Sequence, residues 1–148
     1  MTTTGRCLCG HIRYRFEGEP MWVAHCHCES CRRQTSSALA TFVGVPSDKL
    51  TYLAAPPAVY ESSPGVERLF CPRCGAPIAY RNEASYPNET HLYLGTLDDP
   101  NAVRATQHVF ADEQLAWFEV HDDLPRYATT GRGAEPIRQG PRRNTQER

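Results

Sequence analysis

Three cysteines stand close together in the first quarter of the chain, at Cys26, Cys28 and Cys31. A single turn of backbone can direct all three thiol groups toward one point, where they can bind a zinc ion. Zinc prefers four ligands in a tetrahedral arrangement, so three thiolates leave one position for water or a substrate. The spacing therefore predicts a catalytic zinc at these three residues, and the rest of the chain is expected to act as the scaffold that positions them.

The other four cysteines form two close pairs, and a glycine follows each pair. Cys71 and Cys74 have the two-residue gap of a zinc knuckle, and Cys7 and Cys9 are their natural complement. Four thiolates complete a tetrahedron, so this second zinc is predicted to be structural. A thioredoxin-type redox pair at Cys71 and Cys74 is a weaker alternative, because strand-forming residues rather than a helix follow the motif.

The fourth ligand of the three-cysteine site is open to two interpretations. His25 or His27 would complete it as a second structural zinc. On an extended segment both histidines point away from the face that carries Cys26 and Cys28, which favours a position left open to a ligand. A divalent ion with three thiolates carries a net charge of about −1, which suits a soft incoming thiol better than the generation of hydroxide.

Two arginines follow the three-cysteine site directly, at Arg32 and Arg33. Their guanidinium groups would offset the negative charge of the site or bind the carboxylates of a thiol substrate. Two solvated side chains on a short helix are an equally simple interpretation, and the sequence does not separate the two.

The sequence partly matches a zinc deaminase signature, through His27, Glu29 and the Cys71-Pro-Arg-Cys74 segment. The match is imperfect, because Phe70 stands where that signature has proline. It would also leave four other cysteines without a role. The deaminase interpretation is therefore rejected.

The composition excludes several classes of protein. The chain has 148 residues, of which 22% are charged and 40% hydrophobic, with a formal net charge of −1. These values are ordinary for one globular domain, and the near-neutral charge argues against a nucleic-acid or membrane partner. The first residues contain no apolar run, so we expect no signal peptide or spanning helix and a cytoplasmic protein with reduced thiols.

Short runs of alternating or β-branched residues predict a mainly β fold with two packed sheets and few short helical turns. The clearest alternation is that of Ile12, Tyr14 and Phe16. A helical turn is predicted at 32–36, and 47–64 is predicted to be a long connection with an edge strand. Further strands are predicted at 21–24, 39–45, 66–70, 78–80, 91–97, 108–110 and 115–120.

The chain is predicted to form one zinc-binding domain, residues 1–130, followed by a flexible arginine-bearing tail, residues 131–148. From Gly131 onward almost no residue is apolar, so the segment cannot bury enough surface to offset its ordering entropy. Within the domain, Trp22 and Trp117 are predicted to lie in the core.

The cysteine pattern as a whole resembles the glutathione-dependent formaldehyde-activating enzyme family, and it is also similar to centromere protein V. The resemblance covers about the first 130 residues and rests on Cys7-x-Cys9-Gly10, Cys26-His-Cys28-x-x-Cys31-Arg32-Arg33, Phe70-Cys71-x-x-Cys74-Gly75, Trp117 and Asp123-Leu-Pro-Arg126. It implies a small zinc-stabilised β fold with two metal sites. The structural zinc would be held by Cys7, Cys9, Cys71 and Cys74, and the catalytic zinc by Cys26, Cys28 and Cys31.

The activity that the resemblance implies is the formation of S-hydroxymethylglutathione from glutathione and formaldehyde, a carbon–sulfur lyase reaction. In that scheme the zinc takes the glutathione sulfur, and the thiolate adds to the aldehyde carbon. We therefore predict a lyase-type enzyme with two zinc ions per chain, acting on a small-molecule thiol and a small aldehyde. The alternative is a non-catalytic binding module in which both zinc sites are structural.

Overall fold

A computed structural model describes residues 1–143 of the chain. The fold is mainly β, with two sheets and one α-helix among the described residues, which confirms the predicted fold class. The helix is α1, Glu29–Thr35, and 3-10 turns lie at Ser47–Lys49, Leu94–Thr96, Pro100–Ala102 and Ala111–Glu113. The strands are β1 Thr2–Arg6, β2 Arg13–Glu17, β3 Trp22–Cys26, β4 Ala40–Pro46, β5 Leu50–Tyr52, β6 Ala58–Ser63, β7 Val66–Phe70, β8 Pro77–Asn82, β9 Glu89–Tyr93, β10 Gln107–Val109, β11 Pro125–Arg126 and β12 Arg138–Gln139.

The chain divides into two compact units, each built from two separate stretches of sequence. Unit 1 comprises Met1–Val23 and Thr41–Arg104, and unit 2 comprises Ala24–Ala40 and the chain from Ala105 onward. Within residues 1–143, no helix is long and apolar enough to cross a membrane.

The three-stranded sheet of unit 1 has the order β1-β2-β5, with antiparallel neighbours. The predicted alternation in β2 is confirmed, because Tyr14 and Phe16 are fully buried while the residues between them are exposed. Ile12, just before the strand, is also fully buried. Because only one face of β2 is apolar, the strand packs against one layer. The alternation therefore fixes the register of its pairing with β1 and β5.

The other strands of unit 1 form an antiparallel run in the order β4-β9-β8-β7-β6. β9 is buried at every position. The strand predicted for 91–97 ends at Tyr93, since Leu94–Thr96 forms a 3-10 turn in which the Thr96 hydroxyl donates to the Tyr93 carbonyl over 2.7 Å. β6 lies within 47–64, which was predicted to be a long connection with an edge strand. It was missed as a second strand there because all its residues but the first are exposed and show no apolar alternation.

Unit 2 places β3, β10 and β11 side by side in parallel pairs. His25 lies opposite His108 in the β3–β10 register, and His108 lies opposite Arg126 in the β10–β11 register. β12 pairs with β11 in the antiparallel direction. Helix α1 follows β3 and begins at Glu29, three residues before the predicted helical turn.

The strand predicted for 115–120 is wrong. Side chains rather than a neighbouring strand engage this backbone: Arg142 donates to the carbonyls of Leu115 and Ala116, and Gln114 donates to that of Phe118. The prediction that Trp117 lies in the core is also wrong, since this side chain is 78% exposed.

Residues 131–143, the described part of the segment predicted as a tail, make contacts with earlier parts of the chain. Arg138 and Gln139 form β12, and the Gly140 N–H donates to the Leu124 carbonyl over 3.1 Å. The Arg142 guanidinium lies 2.8 Å from a Glu119 carboxylate oxygen. The boundary at residue 130 stays a prediction, and the last predicted tail residues, 144–148, lie outside the described residues.

Candidate metal centres

The thiols of Cys7, Cys9, Cys71 and Cys74 converge on one point in unit 1, with all four sulfur atoms within 4.8 Å of one another. Cys7 comes directly after β1, and Cys71 comes directly after β7, whose register shifts at Leu69. The Sγ atoms of Cys7 and Cys9 lie 3.6 Å apart, and those of Cys9 and Cys71 lie 3.8 Å apart. A tetrahedral zinc with Zn–S bonds of about 2.3 Å requires sulfur–sulfur separations of roughly 3.8 Å. The donor set therefore fits zinc.

Backbone N–H groups point at sulfur atoms of this cluster and help to lower the pKa of Cys7 and of Cys74, whereas the neighbouring thiols raise that of Cys9. The N–H of Ile12 points at the Cys7 sulfur over 3.3 Å, and those of Arg73 and Cys74 point at the Cys71 sulfur over 3.4 Å. Hydrogen bonds from backbone N–H groups hold the pKa of Cys74 at about 6. Such bonds favour the charged form of a thiol, which is the form that binds a metal.

Two glycines allow the tight turns behind the second cysteine of each pair. Gly10 has φ of 80° and Gly75 has φ of 76°, a region that side chains with a Cβ rarely adopt. The Gly10 N–H donates to the Cys7 carbonyl, and the Gly75 N–H donates to the Cys71 carbonyl. The two cysteine pairs thus form matching knuckles, as expected from their shared trailing glycine.

The second cluster lies in unit 2, where the sulfur atoms of Cys26, Cys28 and Cys31 also lie within 4.8 Å of one another. Cys26 ends β3, Cys28 caps the N-terminus of α1, and Cys31 lies in the first turn of that helix. The Cys31 N–H donates to the Cys28 sulfur over 3.3 Å. Cys26 and Cys31 are each 5% exposed, whereas Cys28 is half-buried.

Three thiols at this spacing suppress one another's ionisation. Hydrogen bonding and repulsion from Cys28 and Cys31, together with burial, raise the pKa of the Cys26 thiol far above its usual value. A cation among the sulfur atoms removes that penalty, because each thiolate then faces a positive charge. The chemistry of the donor set therefore fits a soft divalent metal such as zinc.

Neither neighbouring histidine joins the three thiols in the described part of the chain. The Nε2 atom of His27 instead lies 2.8 Å from Nδ1 of His108. His25 instead groups with His108 and Asp122, whose ligand atoms lie within 4.8 Å of one another. This geometry favours an open fourth position over a histidine ligand.

The two arginines after the site have different environments. Arg32 donates through Nη1 to the backbone carbonyls of His27 and Glu113, so its guanidinium is engaged in holding the backbone together. Arg33 pairs with Glu29 over 2.9 Å and is 79% exposed. Only the second guanidinium is therefore placed to meet a molecule in solvent.

A buried polar chain behind the second cluster was not predicted from the sequence. His108 is 1% exposed, and its Nε2 atom lies 2.9 Å from an Asp122 carboxylate oxygen. Arg126, also 1% exposed, donates to the other oxygen of Asp122 over 2.6 Å. The sequence signal for this chain is weak, because one histidine in a strand-like run and one aspartate in a polar segment are common.

Burial keeps His25, His27 and His108 neutral near pH 7. It lowers the pKa of His25 and of His27 to about 4 in each case, with the neighbouring His108 adding to the effect. Burial also lowers the pKa of His108, and the hydrogen bond to Asp122 opposes this only in part. All three imidazole rings therefore present one N–H and one lone pair.

The rival interpretations of the cysteines do not match this geometry. Cys71 and Cys74 cluster with Cys7 and Cys9, whereas the deaminase interpretation needs them beside His27. Strand β8, rather than a helix, follows the Cys71–Cys74 pair, which argues against a thioredoxin-type site.

Two clusters of cysteine thiols on a mainly β fold define a candidate metalloprotein. The chain belongs to the glutathione-dependent formaldehyde-activating enzyme family, whose sequence profile matches residues 2–113. The resemblance stated from the cysteine pattern is thereby confirmed.

Two individual proteins are similar to this chain. A Schizosaccharomyces pombe protein named as an uncharacterised lyase is 34% identical over 80 residues, which are 53% of this chain and 58% of that protein. The chain thus matches less than two thirds of that relative's length. A crystal structure of a Rhodobacter sphaeroides protein superposes with a TM-score of 0.55 at 20% identity, over 67% of this chain and 93% of that one. The second likeness concerns the fold alone.

Proposed function

We propose that this protein is a zinc-dependent carbon–sulfur lyase-type enzyme that joins a glutathione-like thiol to a small aldehyde such as formaldehyde. The observation that carries the proposal is the three-thiol cluster of Cys26, Cys28 and Cys31, which no histidine, aspartate, glutamate or further cysteine joins among residues 1–143. Family membership and the lyase-named relative support the reaction class.

Cys26, Cys28 and Cys31 would hold the catalytic zinc, and Cys7, Cys9, Cys71 and Cys74 would hold a structural zinc. When bound at the second cluster, zinc would supply a Lewis acid that keeps an added thiol in its nucleophilic thiolate form near neutral pH. The seven reduced thiols that this requires are consistent with a cytoplasmic protein.

The reaction itself needs no further reagent. The thiol sulfur forms a bond to the carbonyl carbon, the carbonyl π electrons move to the oxygen, and the thiol proton ends on that oxygen. Nothing is oxidised or reduced, so a site that binds both molecules and holds them in contact is sufficient.

The protein contributes position and charge. Cys28 is the half-buried member of the cluster, so the approach to the site lies on its side. Arg33, exposed on the same short helix, offers a guanidinium to a substrate carboxylate. The hydrogen bonds from the Arg32 guanidinium to the backbone carbonyls of His27 and Glu113 hold the loop that carries Cys28.

The test measures the exchange rate between glutathione and its hydroxymethyl adduct by NMR exchange spectroscopy, on protein of known zinc content. We expect wild-type protein to accelerate exchange above the spontaneous rate, and Cys28→Ser to return it to that rate with one zinc lost per chain. Ser30→Ala, on the exposed face of the same helix, is the matched control and should keep both.

The same variants separate the alternative function. A purely structural second site predicts no acceleration by wild-type protein and a large loss of folding stability in Cys28→Ser. An enzyme predicts acceleration, with most of the stability retained in Cys28→Ser. No acceleration with any thiol and formaldehyde would refute the proposed activity.

A further inference from the structure

Two histidines and one aspartate of unit 2 converge on one point. The ligand atoms of His25, His108 and Asp122 lie within 4.8 Å of one another. His25 is the register partner of His108 on the neighbouring parallel strand, and the centroids of the two rings lie 4.8 Å apart. Direct partners on adjacent strands place their side chains on the same face of a sheet. The pairing of β3 with β10 therefore brings the two imidazole rings together.

This group is separate from the three-thiol cluster, although His25 precedes Cys26 in the chain. Successive side chains of a strand point to opposite faces, so these two residues at the end of β3 are directed away from each other. No cysteine joins the two histidines and the aspartate among residues 1–143. A metal ion held by this group would thus be a third ion and not one shared with the thiols.

The spacing of the three ligand atoms suits coordination of one ion. His108 Nε2 lies 2.9 Å from Asp122 Oδ2. Two ligand atoms that are each about 2.1 Å from an ion, at a right angle, lie roughly 3 Å apart. The same separation suits a hydrogen bond, so the ion and the hydrogen bond are alternatives at this pair. The other pairs lie within 4.8 Å, so movements of roughly 1 Å place all three atoms around one ion.

Two of the ligands are held by a further contact, as metal ligands in proteins usually are. Asp122 Oδ1 accepts from the Arg126 guanidinium over 2.6 Å and from the Leu124 N–H over 3.0 Å, while Oδ2 faces His108. The other ring nitrogen of His108, Nδ1, lies 2.8 Å from His27 Nε2. That contact persists whichever of the two nitrogens carries the proton, so the site does not depend on it.

The positive charge of Arg126 does not exclude a cation at this point. A Glu119 carboxylate oxygen lies 4.0 Å from Arg126 Nη2, so the guanidinium faces two carboxylates rather than one. A carboxylate can bind a metal through one oxygen and accept hydrogen bonds at the other. Asp122 can therefore serve both partners, with Oδ1 on Arg126 and Oδ2 on the ion.

Solvent reaches the group from one side. The Asp122 side chain is 26% exposed and His25 is half-buried, whereas His108 is 1% exposed. An ion can therefore enter past Asp122 and His25. Three protein ligands leave at least one position for water or a small ligand, as in open metal sites.

We propose that His25, His108 and Asp122 form a third metal site, which binds a divalent ion of the first transition row such as zinc or iron. Two imidazole nitrogens and one carboxylate oxygen suit these ions, whereas calcium and magnesium require ligand shells made of oxygen atoms. With a position left open, the site is of the kind that binds a small ligand rather than the closed structural kind. The proposal does not rest on the lyase activity proposed above.

The test titrates cobalt(II) into the zinc-loaded full chain and counts both metals before and after the titration. Cobalt bound by thiolates has an intense sulfur-to-metal charge-transfer band, whereas cobalt bound by nitrogen and oxygen has only weak visible bands. We expect zinc and cobalt together to reach three ions per chain, with only the weak bands. A total of two ions, or a charge-transfer band that accounts for all the bound cobalt, overturns the proposal.

Two histidine variants locate the third ion. His25→Gln should lower the cobalt affinity at least about 10-fold and keep the other two ions, because it removes one ligand of the third site only. His121→Gln is the matched control, since this exposed histidine lies next to Asp122 in the chain, and it should keep the wild-type affinity. An unchanged affinity in His25→Gln, or an equal loss in His121→Gln, overturns the proposal.

Wild-type protein decides the proposal even if His25→Gln fails to fold. Bound cobalt is paramagnetic and strongly shifts the NMR signals of the imidazole rings that ligate it. We expect shifted ring signals from both His25 and His108 after the third ion binds. Unshifted signals from either ring overturn the proposal.

Discussion

Arg126 Nη1 donates to Asp122 Oδ1 over 2.6 Å, from a side chain that is only 1% exposed. The same nitrogen also donates to the Leu124 carbonyl over 2.6 Å, and Nη2 donates to the Val120 carbonyl over 2.6 Å. A guanidinium can be buried only when its charge and its N–H groups are matched, and here one carboxylate and several carbonyls do this.

Arg126→Met should therefore destabilise the protein by about 3–5 kcal/mol, because it removes the opposite charge beside the Asp122 carboxylate and the donor to several carbonyls. Urea unfolding of the zinc-loaded protein, followed by tryptophan fluorescence, measures the change. Arg33→Met is the matched control, since the Arg33 side chain is 79% exposed, and it should lose less than about 1 kcal/mol. Equal losses in the two variants would contradict the prediction.

Gly5→Ala should destabilise unit 1 by about 1–3 kcal/mol. A Cβ at Gly5 would overlap the fully buried Tyr14 ring and would lie 2.6 Å from the Thr96 carbonyl oxygen, which is backbone and cannot turn aside. Gly95→Ala is the control, because a Cβ there meets nothing within 4 Å. Thermal unfolding compares the two, and a melting temperature of Gly5→Ala equal to that of wild type would show that the strand pair has more room than described.

Cys71→Ser should remove one zinc per chain and cost more than about 4 kcal/mol, since loss of a structural metal is among the largest single-residue effects. Cys71 is fully buried, and its sulfur accepts the N–H groups of Arg73 and Cys74. Elemental analysis and denaturant unfolding measure the two quantities. Cys28→Ser should also lose one zinc but far less stability. The prediction fails if the two cysteine variants lose stability equally.

Arg33→Gln should raise the KM for glutathione and leave kcat nearly unchanged, because a carboxylate contact remote from the sulfur binds ground state and transition state alike. A thiol without a carboxylate, such as 2-mercaptoethanol, is the internal control and should show no change in KM. Steady-state kinetics with both thiols makes the comparison. A fall in kcat with both thiols would instead place Arg33 at the reacting atoms.

The sequence predicts the parts of this protein whose signal is local. Cysteine spacing indicates both clusters, and the alternation of Ile12, Tyr14 and Phe16 indicates the first sheet. β6 carries no such signal, because it pairs through its backbone and exposes its side chains, including Tyr60. The segment at 115–120 has the apolar content of a strand but is held by the Arg142 side chain.

The buried chain behind the second cluster illustrates the limit most clearly. His27, His108 and Asp122 are separated by 81 and 14 residues along the chain, and no periodicity links them. They meet because β3 and β10 are parallel neighbours, and a parallel pairing cannot be read from short strands with a long separation. The spacing of the cysteines was sufficient to predict the metal ligands. The contacts of His108 with His27 and Asp122 became visible only in the fold.

The hydrogen bond between His108 and Asp122 joins a residue inside the region that the family profile matches to a residue outside it. The matched region ends at residue 113, so His108 lies inside it and Asp122 lies outside. Moving residues 2–113 of this chain into a relative would therefore transfer His108 without Asp122. Chimeras made with this chain should be joined beyond Arg126, so that donor and acceptor come from the same parent.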